Sequence, residues 1–91
     1  MKIKIKLVHF YDNNQIIDQG IVQKYFYIQK NLCITEYIKD AYEFKSIEEY
    51  IKKTKKKYKS RFICVTKFSC FEIMKMNNEK TTYVYFVELI K

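Results

Sequence analysis

The sequence predicts an α+β domain, a small antiparallel sheet of about five strands in the order β-β-β-α-β-β, packed against one amphipathic basic helix. Three patterns predict it. Lysines alternate with apolar residues over 1–10, a helix start signal precedes an apolar stripe at 46–58, and two apolar stretches flank a polar turn at 76–80. At 91 residues the chain has room for one domain, residues 1–91.

The first element is a half-buried strand over residues 1–10. Apolar and lysine side chains alternate there, which is the two-residue period of a strand with one face in the core. Lys2, Lys4 and Lys6 then point to solvent, a pattern typical of a strand at the edge of a sheet. The side chains predicted to point inward are Ile3, Ile5, Leu7 and His9.

Residues 15–29 are compatible with two structures. Their isoleucines follow a helical stripe that Gly20 interrupts, whereas the β-branched and aromatic residues of 22–28 favour a strand. A tight connection then leads into 32–38, where apolar residues alternate with others until Glu36 breaks the register. We predict strands over 22–28 and 32–38, with a helix as the open alternative for 15–29.

The helix is predicted over residues 46–58. Ser46 and Glu49 form a capping box, in which the serine hydroxyl accepts from the Glu49 N–H and the Glu49 carboxylate reaches back to the Ser46 N–H. Acidic residues lie in the first turn and lysines in the last, which suits the helix dipole. One stripe is predicted to face the core: Ile47, Tyr50, Ile51, Thr54 and Tyr58.

Two long strands are predicted after the helix, over 61–74 and 81–90, joined into an antiparallel hairpin by the polar turn between them. The last strand has apolar side chains on both faces, and one helix is too narrow to cover a whole sheet. We therefore predict a homodimer or an obligate partner on the sheet face or edge away from the helix, centred on Tyr83 and Tyr85. The alternative is that residues 12–30 fold back over that face.

The composition argues against catalysis. With Gly20 as its one glycine the chain has no glycine-rich phosphate loop, and with His9 as its one histidine it lacks a usual zinc set. No local motif pairs a nucleophile with a base, although the fold could bring His9 to a cysteine. The sequence therefore predicts no enzyme, no metal and no cofactor. The cysteines are predicted to be buried, reduced thiols: Cys33, Cys64 and Cys70.

The chain is predicted to be cytoplasmic. Its apolar runs are far shorter than the roughly 18 residues of a membrane-spanning helix, so no membrane partner is expected. Residues 1–10 alternate where a signal peptide would have a continuous apolar run. Residues with AT-rich codons, chiefly Lys, Ile, Tyr, Phe and Asn, dominate the composition, which indicates a gene from an AT-rich genome.

The charge distribution is the most informative feature for function. The formal net charge is +8, and residues 45–67 contain nine basic residues against two acidic ones. The helix lysines fall opposite the apolar stripe, and Arg61 extends the patch into the next strand. This is the electrostatic pattern of a protein that contacts phosphates, although a solvated lysine face fits it equally well. The predicted nucleic-acid-binding residues are Lys52, Lys53, Lys55, Lys56, Lys59 and Arg61.

A second class of function stays open. A short, AT-rich chain without a catalytic signature resembles the small accessory proteins of phages and mobile elements, among them inhibitors of host defence such as anti-CRISPR proteins. That resemblance implies a protein that acts by binding another protein. We predict docking onto nucleic acid or a ribonucleoprotein, with an inhibitor of a host protein that has an acidic surface as the alternative.

Overall fold

The computed structural model describes residues 1–13, 15–16, 24–76, 78 and 80–90. This part of the chain contains strands, one α-helix and a short 3-10 helix. The strands are β1 (Lys2–Asp12), β2 (Gln15–Ile16), β3 (Tyr25–Ile28), β4 (Ile34–Thr35), β5 (Arg61–Ile63), β6 (Ser69–Met76) and β7 (Thr81–Ile90), the α-helix is α1 (Ile47–Lys57), and the 3-10 helix is Ile38–Asp40.

Neighbouring strands are antiparallel throughout, in the order β4-β3-β1-β7-β6-β5, with β2 paired to the end of β1. The predicted α+β class, an antiparallel sheet with one helix, is confirmed for the described residues, although six strands lie along the sheet. The prediction that the first strand is an edge strand is wrong, because β1 lies between β3 and β7. Its lysines still reach solvent because they project from the face turned away from α1.

The predicted strands between β1 and the helix are shorter than expected. Tyr25–Ile28 form β3, so this end of the ambiguous segment is a strand, while residues 17–23 lie outside the described part. Of residues 32–38, only Ile34–Thr35 pair in the sheet. Residues 14 and 17–23 of the segment 12–30, considered as a cover for the sheet, likewise lie outside the described residues, and the described strands β2 and β3 pair with β1 within the sheet.

The predicted single strand at 61–74 is two strands joined by a turn. The Thr66 hydroxyl accepts hydrogen bonds from the backbone N–H groups of Phe68 and Ser69 at 3.1 and 3.0 Å, which closes the turn between β5 and β6. Cys64 precedes it with a φ of 53°, a left-handed conformation uncommon in a residue with a side chain. The turn therefore overrides the strand propensity of the residues around it.

A β-bulge in β1 changes which side chains face the core. Leu7 pairs with Tyr85 and His9 pairs with Val84, so Val8 is the extra residue. Beyond this point the alternation inverts, and His9 is exposed on the face turned away from α1. The prediction of an inward His9 is therefore wrong, because a regular two-residue pattern contains no sign of the bulge.

The core lies between α1 and one face of the sheet, which we call the covered face. Phe44, in the segment that leads into the helix, is fully buried there although the sequence patterns did not indicate it. Its ring meets Tyr42 and Tyr50 edge-to-face at centroid distances of 4.8 and 5.7 Å. The buried apolar residues are Ile3, Ile5, Ile28, Phe44, Ile47, Tyr50, Cys70, Val87 and Leu89.

The helix agrees closely with its prediction. It spans Ile47–Lys57 with Ser46 as its N-cap, and the Ser46 hydroxyl accepts from the Glu49 N–H at 3.2 Å. The Glu49 carboxylate accepts from the Lys45 N–H at 2.7 Å, one residue before the predicted donor. Of the predicted stripe, three residues are buried, Ile51 is half-buried and Tyr58 is 37% exposed.

Replacing Ser46 by alanine should destabilise the protein by about 1 kcal/mol, because the Glu49 N–H loses its acceptor. Urea unfolding of the wild type and the variant measures the difference. Ser46→Asp is the matched control, since aspartate restores an acceptor at the same position and adds a favourable charge at the helix start. An aspartate variant as unstable as the alanine variant would contradict the capping role.

Candidate nucleic-acid interface

Four lysines from two separate parts of the chain line one recess of about 340 Å³, which we call the lysine groove. Lys53, Lys56 and Lys57 come from α1, and Lys30 comes from the loop between β3 and β4. The Lys57 ammonium donates to the Asn31 backbone carbonyl at 2.7 Å, which holds the loop against the helix. Among the described residues, the other members of the lining are Asn31 and Leu32, so no carboxylate lines the groove.

The groove concentrates positive charge with little compensation. The Lys53 ammonium lies 3.8 Å from a Glu49 carboxylate oxygen and 4.3 Å from the centre of the Tyr42 ring. In the described part of the chain, Lys30, Lys56 and Lys57 make no ion pair. Ammonium groups brought together in this way repel one another, and a bound anion would relieve that repulsion.

The other predicted phosphate-binding residues lie outside the groove. Lys52, Lys55 and Lys59 are exposed around the helix, and the Lys55 ammonium lies 6.0 Å from the centre of the Phe62 ring. Arg61 does not extend the helix patch as predicted. Since its neighbour Phe62 faces α1, strand alternation directs Arg61 to the opposite face of the sheet.

Sequence reasoning missed two members of the groove, Lys30 and Lys57. Lys57 is one of several lysines in α1, and only its angular position around the helix axis could have distinguished it from the others. Lys30 had no signal, because only the tertiary fold brings its loop to the last turns of α1.

An apolar cavity of about 360 Å³ adjoins the groove, between α1 and the covered face. Leu32 lines both recesses and so forms part of the wall between them. Its φ of 70° is unusual for a branched side chain, and the Leu32 N–H donates to the Gln29 carbonyl at 2.9 Å. Among the described residues, the lining consists of Ile5, Ile28, Leu32, Cys33, Ile34, Tyr50, Thr54, Tyr58, Glu72, Met74 and Tyr85.

The lining of this cavity includes a buried carboxylate, that of Glu72. Glu72 is 1% exposed, and its two oxygens accept hydrogen bonds from the Tyr50 hydroxyl at 2.5 Å and the Ser60 hydroxyl at 2.8 Å. Burial raises the pKa of Glu72 above its ordinary value, and the two hydrogen bonds act in the opposite direction. Burial, with the nearby Glu72 charge, also raises the pKa of the Cys70 thiol to about 12.

The Thr54 hydroxyl also belongs to the lining, and its oxygen has almost no accessible surface. The residue is 2% exposed, and within the described part of the chain its hydroxyl makes no hydrogen bond of good geometry. It lies near enough to the Tyr50 hydroxyl to lower the pKa of that phenol slightly, against the larger rise caused by burial and by Glu72. Buried hydroxyl groups in folded proteins nearly always have a partner, so Thr54 is a group with unused hydrogen-bonding capacity.

The predicted interface tyrosines lie on the other side of the sheet from the expected one. Tyr85 lines the cavity on the covered face, and the Tyr83 ring stacks against Phe10 at a centroid distance of 4.9 Å. The face turned away from α1 instead presents Val84 and Phe86 from the same strand. The strand alternation was predicted as observed, but nothing in it shows which side the helix covers.

The remaining candidates for chemistry are dispersed. Cys70 is buried as predicted, whereas Cys33 and Cys64 are exposed, which corrects the prediction for these two. Among the described residues, no group of three or more His, Cys, Asp or Glu side chains is arranged to hold a metal ion. Nor does any helix in the described ranges have the length and apolar content needed to cross a bilayer.

Comparisons with protein-family models, with curated proteins and with solved structures give no match to this chain. The assignment of a function therefore depends on the geometry of the groove and the cavity.

Proposed function

We propose that this chain is a non-enzymatic, cytoplasmic binding protein that docks on the phosphate backbone of a nucleic acid or of a nucleic-acid-containing complex. The observation that carries the proposal is the lysine groove, in which Lys30 and three helix lysines converge without a carboxylate in the described lining. Lys52, Lys55 and Lys59 are exposed outside the groove and add to the positive charge around α1.

The lysine-rich composition alone does not explain why these four lysines converge in one groove. AT-rich codons raise the number of lysines along the whole chain, but they do not bring a loop lysine to a helix of like charge. Asn31 holds the loop there through its carbonyl and the Lys57 ammonium, so the like charges are brought together by the fold. Such an arrangement is typical of a surface that binds a polyanion.

The kind of basic residue indicates how the polyanion is bound. In its described lining, the groove contains lysines, which are compact point charges, and no arginine with the planar fork that reads guanine. Binding should therefore be directed to phosphates and weakly selective for sequence. Arg61, on the opposite face, does not supply this readout at the groove.

Changing Lys30, Lys53, Lys56 and Lys57 together to glutamine should weaken binding and flatten its dependence on salt. For a single-stranded oligonucleotide, log K falls by about 0.7 per phosphate contact for each tenfold rise in salt, so four lost contacts lower the slope by about 2.8. Fluorescence anisotropy between 50 and 300 mM salt, about the range in which such slopes are measured, gives both quantities.

The matched control changes four exposed lysines elsewhere to glutamine, and so lowers the net charge by the same amount. These are Lys39, Lys67, Lys75 and Lys80. The control should retain most of the affinity and slope. Equal losses in the two variants would mean that net charge, and not the groove, drives binding. An affinity that does not change with salt would contradict the proposal altogether.

A protein partner is the second candidate function, in line with an inhibitor that docks on an acidic surface or with a homodimer. It is favoured by half-buried apolar side chains on the face turned away from α1, where the Phe71 and Phe86 rings pack at 5.3 Å. In the anisotropy experiment polyglutamate is the comparison ligand. Polyglutamate that competes as well as an oligonucleotide of equal charge would favour the protein partner.

A further inference from the structure

We infer that the apolar cavity takes a single purine or pyrimidine base, whose own phosphate lies in the adjoining lysine groove. The inference rests on the proposed function and adds to it the part of the nucleic acid that is recognised. The ligand is a nucleotide unit. It belongs either to an unpaired position in a strand or to a free mononucleotide, and the two have the same base and phosphate chemistry.

The first argument is the adjacency of the two recesses. Leu32 lines both of them, and α1 contributes Thr54 and Tyr58 to the cavity and Lys53, Lys56 and Lys57 to the groove. A nucleotide has the same two parts, a flat base and an anionic phosphate, joined through one sugar. The protein thus places an apolar recess and a cationic recess side by side.

The second argument is the chemistry of the cavity walls. Tyr50, Tyr58 and Tyr85 provide aromatic surface, against which bases pack favourably. Tyr58 is 37% exposed and Tyr85 is half-buried, so these two rings supply the accessible part of that aromatic surface.

Other occupants suit the cavity less well. A purely apolar molecule would fill the cavity but leave the adjoining lysines without an anion, and a phosphate inside the cavity would find no lysine or arginine in its described lining. The volume of about 360 Å³ lies within the range of small-ligand pockets, roughly 300–1,000 Å³. Exposed lining residues, Cys33 and Ile34 among them, place the cavity at the protein surface, where a base can enter.

The inference carries a consequence for the class of nucleic acid. A base can enter the cavity only if it is unstacked and unpaired, which a single strand permits at little cost and a duplex does not. The protein should therefore prefer single strands to duplexes of equal charge, in addition to its dependence on salt.

The experiment compares two oligomers with identical backbones. One consists of abasic residues alone, and the other carries a single 2-aminopurine at its centre, so only the second has a base to insert. We expect the second to bind roughly 5- to 150-fold more tightly, the range found for one stacked base. Quenching of the 2-aminopurine fluorescence on binding should accompany the gain.

Two variants test the position of the base. Cys33→Trp puts a bulky ring at an exposed lining residue and should abolish the gain while leaving the affinity for the abasic oligomer unchanged. Cys64→Trp is the matched control, since Cys64 is also exposed but lies in the β5–β6 turn, and it should change neither affinity.

The outcomes separate the two proposals. Equal affinities for the two oligomers would overturn the base site and leave phosphate binding intact. Failure of both oligomers to bind at low salt would overturn phosphate binding and the base site with it. A 2-aminopurine mononucleotide 5′-phosphate that binds as tightly as the oligomer would support the base site and identify the free nucleotide as its source.

Discussion

Replacing Phe44 by alanine should lower the free energy of unfolding by about 3–5 kcal/mol, the usual effect of removing a buried phenylalanine ring. Phe44 is 1% exposed, and its ring packs against Tyr42 in the segment before α1 and against Tyr50 in α1. A small domain has only about 5–15 kcal/mol of stability in total. The variant should therefore unfold at a much lower urea concentration than the wild type.

Tyr37→Ala provides the matched control, because it truncates an aromatic side chain that is 61% exposed. Its free energy of unfolding should stay within about 0.5 kcal/mol of the wild type. If the two alanine variants were equally unstable, Phe44 would not lie in the core as described.

Raising the pH should destabilise the wild type through Glu72. Because the folded state raises the pKa of this carboxyl above 4.5, its protonated form folds more favourably than its ionised form. Its contribution to stability is complete below pH 4.5 and is lost as the pH rises through the folded-state pKa. Within that window the loss amounts to as much as about 1.4 kcal/mol per pH unit.

Glu72→Gln isolates this contribution, since glutamine stays neutral, accepts from Tyr50 and can donate to Ser60. Thermal unfolding should show the variant to be more stable than the wild type above the window, with a difference that closes as the pH falls to 4.5. Tyr50→Phe removes a hydrogen bond that favours the charged form of Glu72, which raises the folded-state pKa further. In that variant the loss of stability should therefore extend to higher pH than in the wild type. The groups that face Glu72 are Tyr50, Ser60, Cys70 and Tyr85.

A glutamine variant that stayed less stable than the wild type at every pH would contradict the burial of a titrating carboxyl. It would mean instead that the ionised Glu72 is the form that the fold prefers.

The helix could be predicted from the sequence almost to the residue, because each of its determinants acts over a short distance. The Ser46 cap bonds a group three residues away, and the buried residues Ile47, Tyr50 and Thr54 recur at helical spacing. The pairing of β6 with β7 was predictable for a similar reason, since a short polar turn joins two stretches rich in strand-forming residues.

The binding site could be predicted only in part. The sequence indicated that exposed helix lysines lie opposite the apolar stripe, and this agrees with Lys52, Lys55, Lys56 and Lys59. It gave no indication that Lys30 completes a groove with Lys53, Lys56 and Lys57. Nor did it indicate that Arg61 turns to the opposite face. These placements depend on contacts between residues far apart in the chain, which periodicity does not encode.

Local patterns in the sequence therefore determined the α+β class, the helix with its cap and phase, the C-terminal hairpin and the concentration of positive charge. Only the tertiary structure decided the interior position of β1, the bulge that turns His9 outward, the burial of Glu72 beneath Tyr50, and the cavity beside the lysine groove. The physical reason is the range of the interactions. Caps, stripes and turns act between residues a few positions apart, whereas strand order, desolvation and the meeting of Lys30 with Lys57 arise only when distant segments pack together.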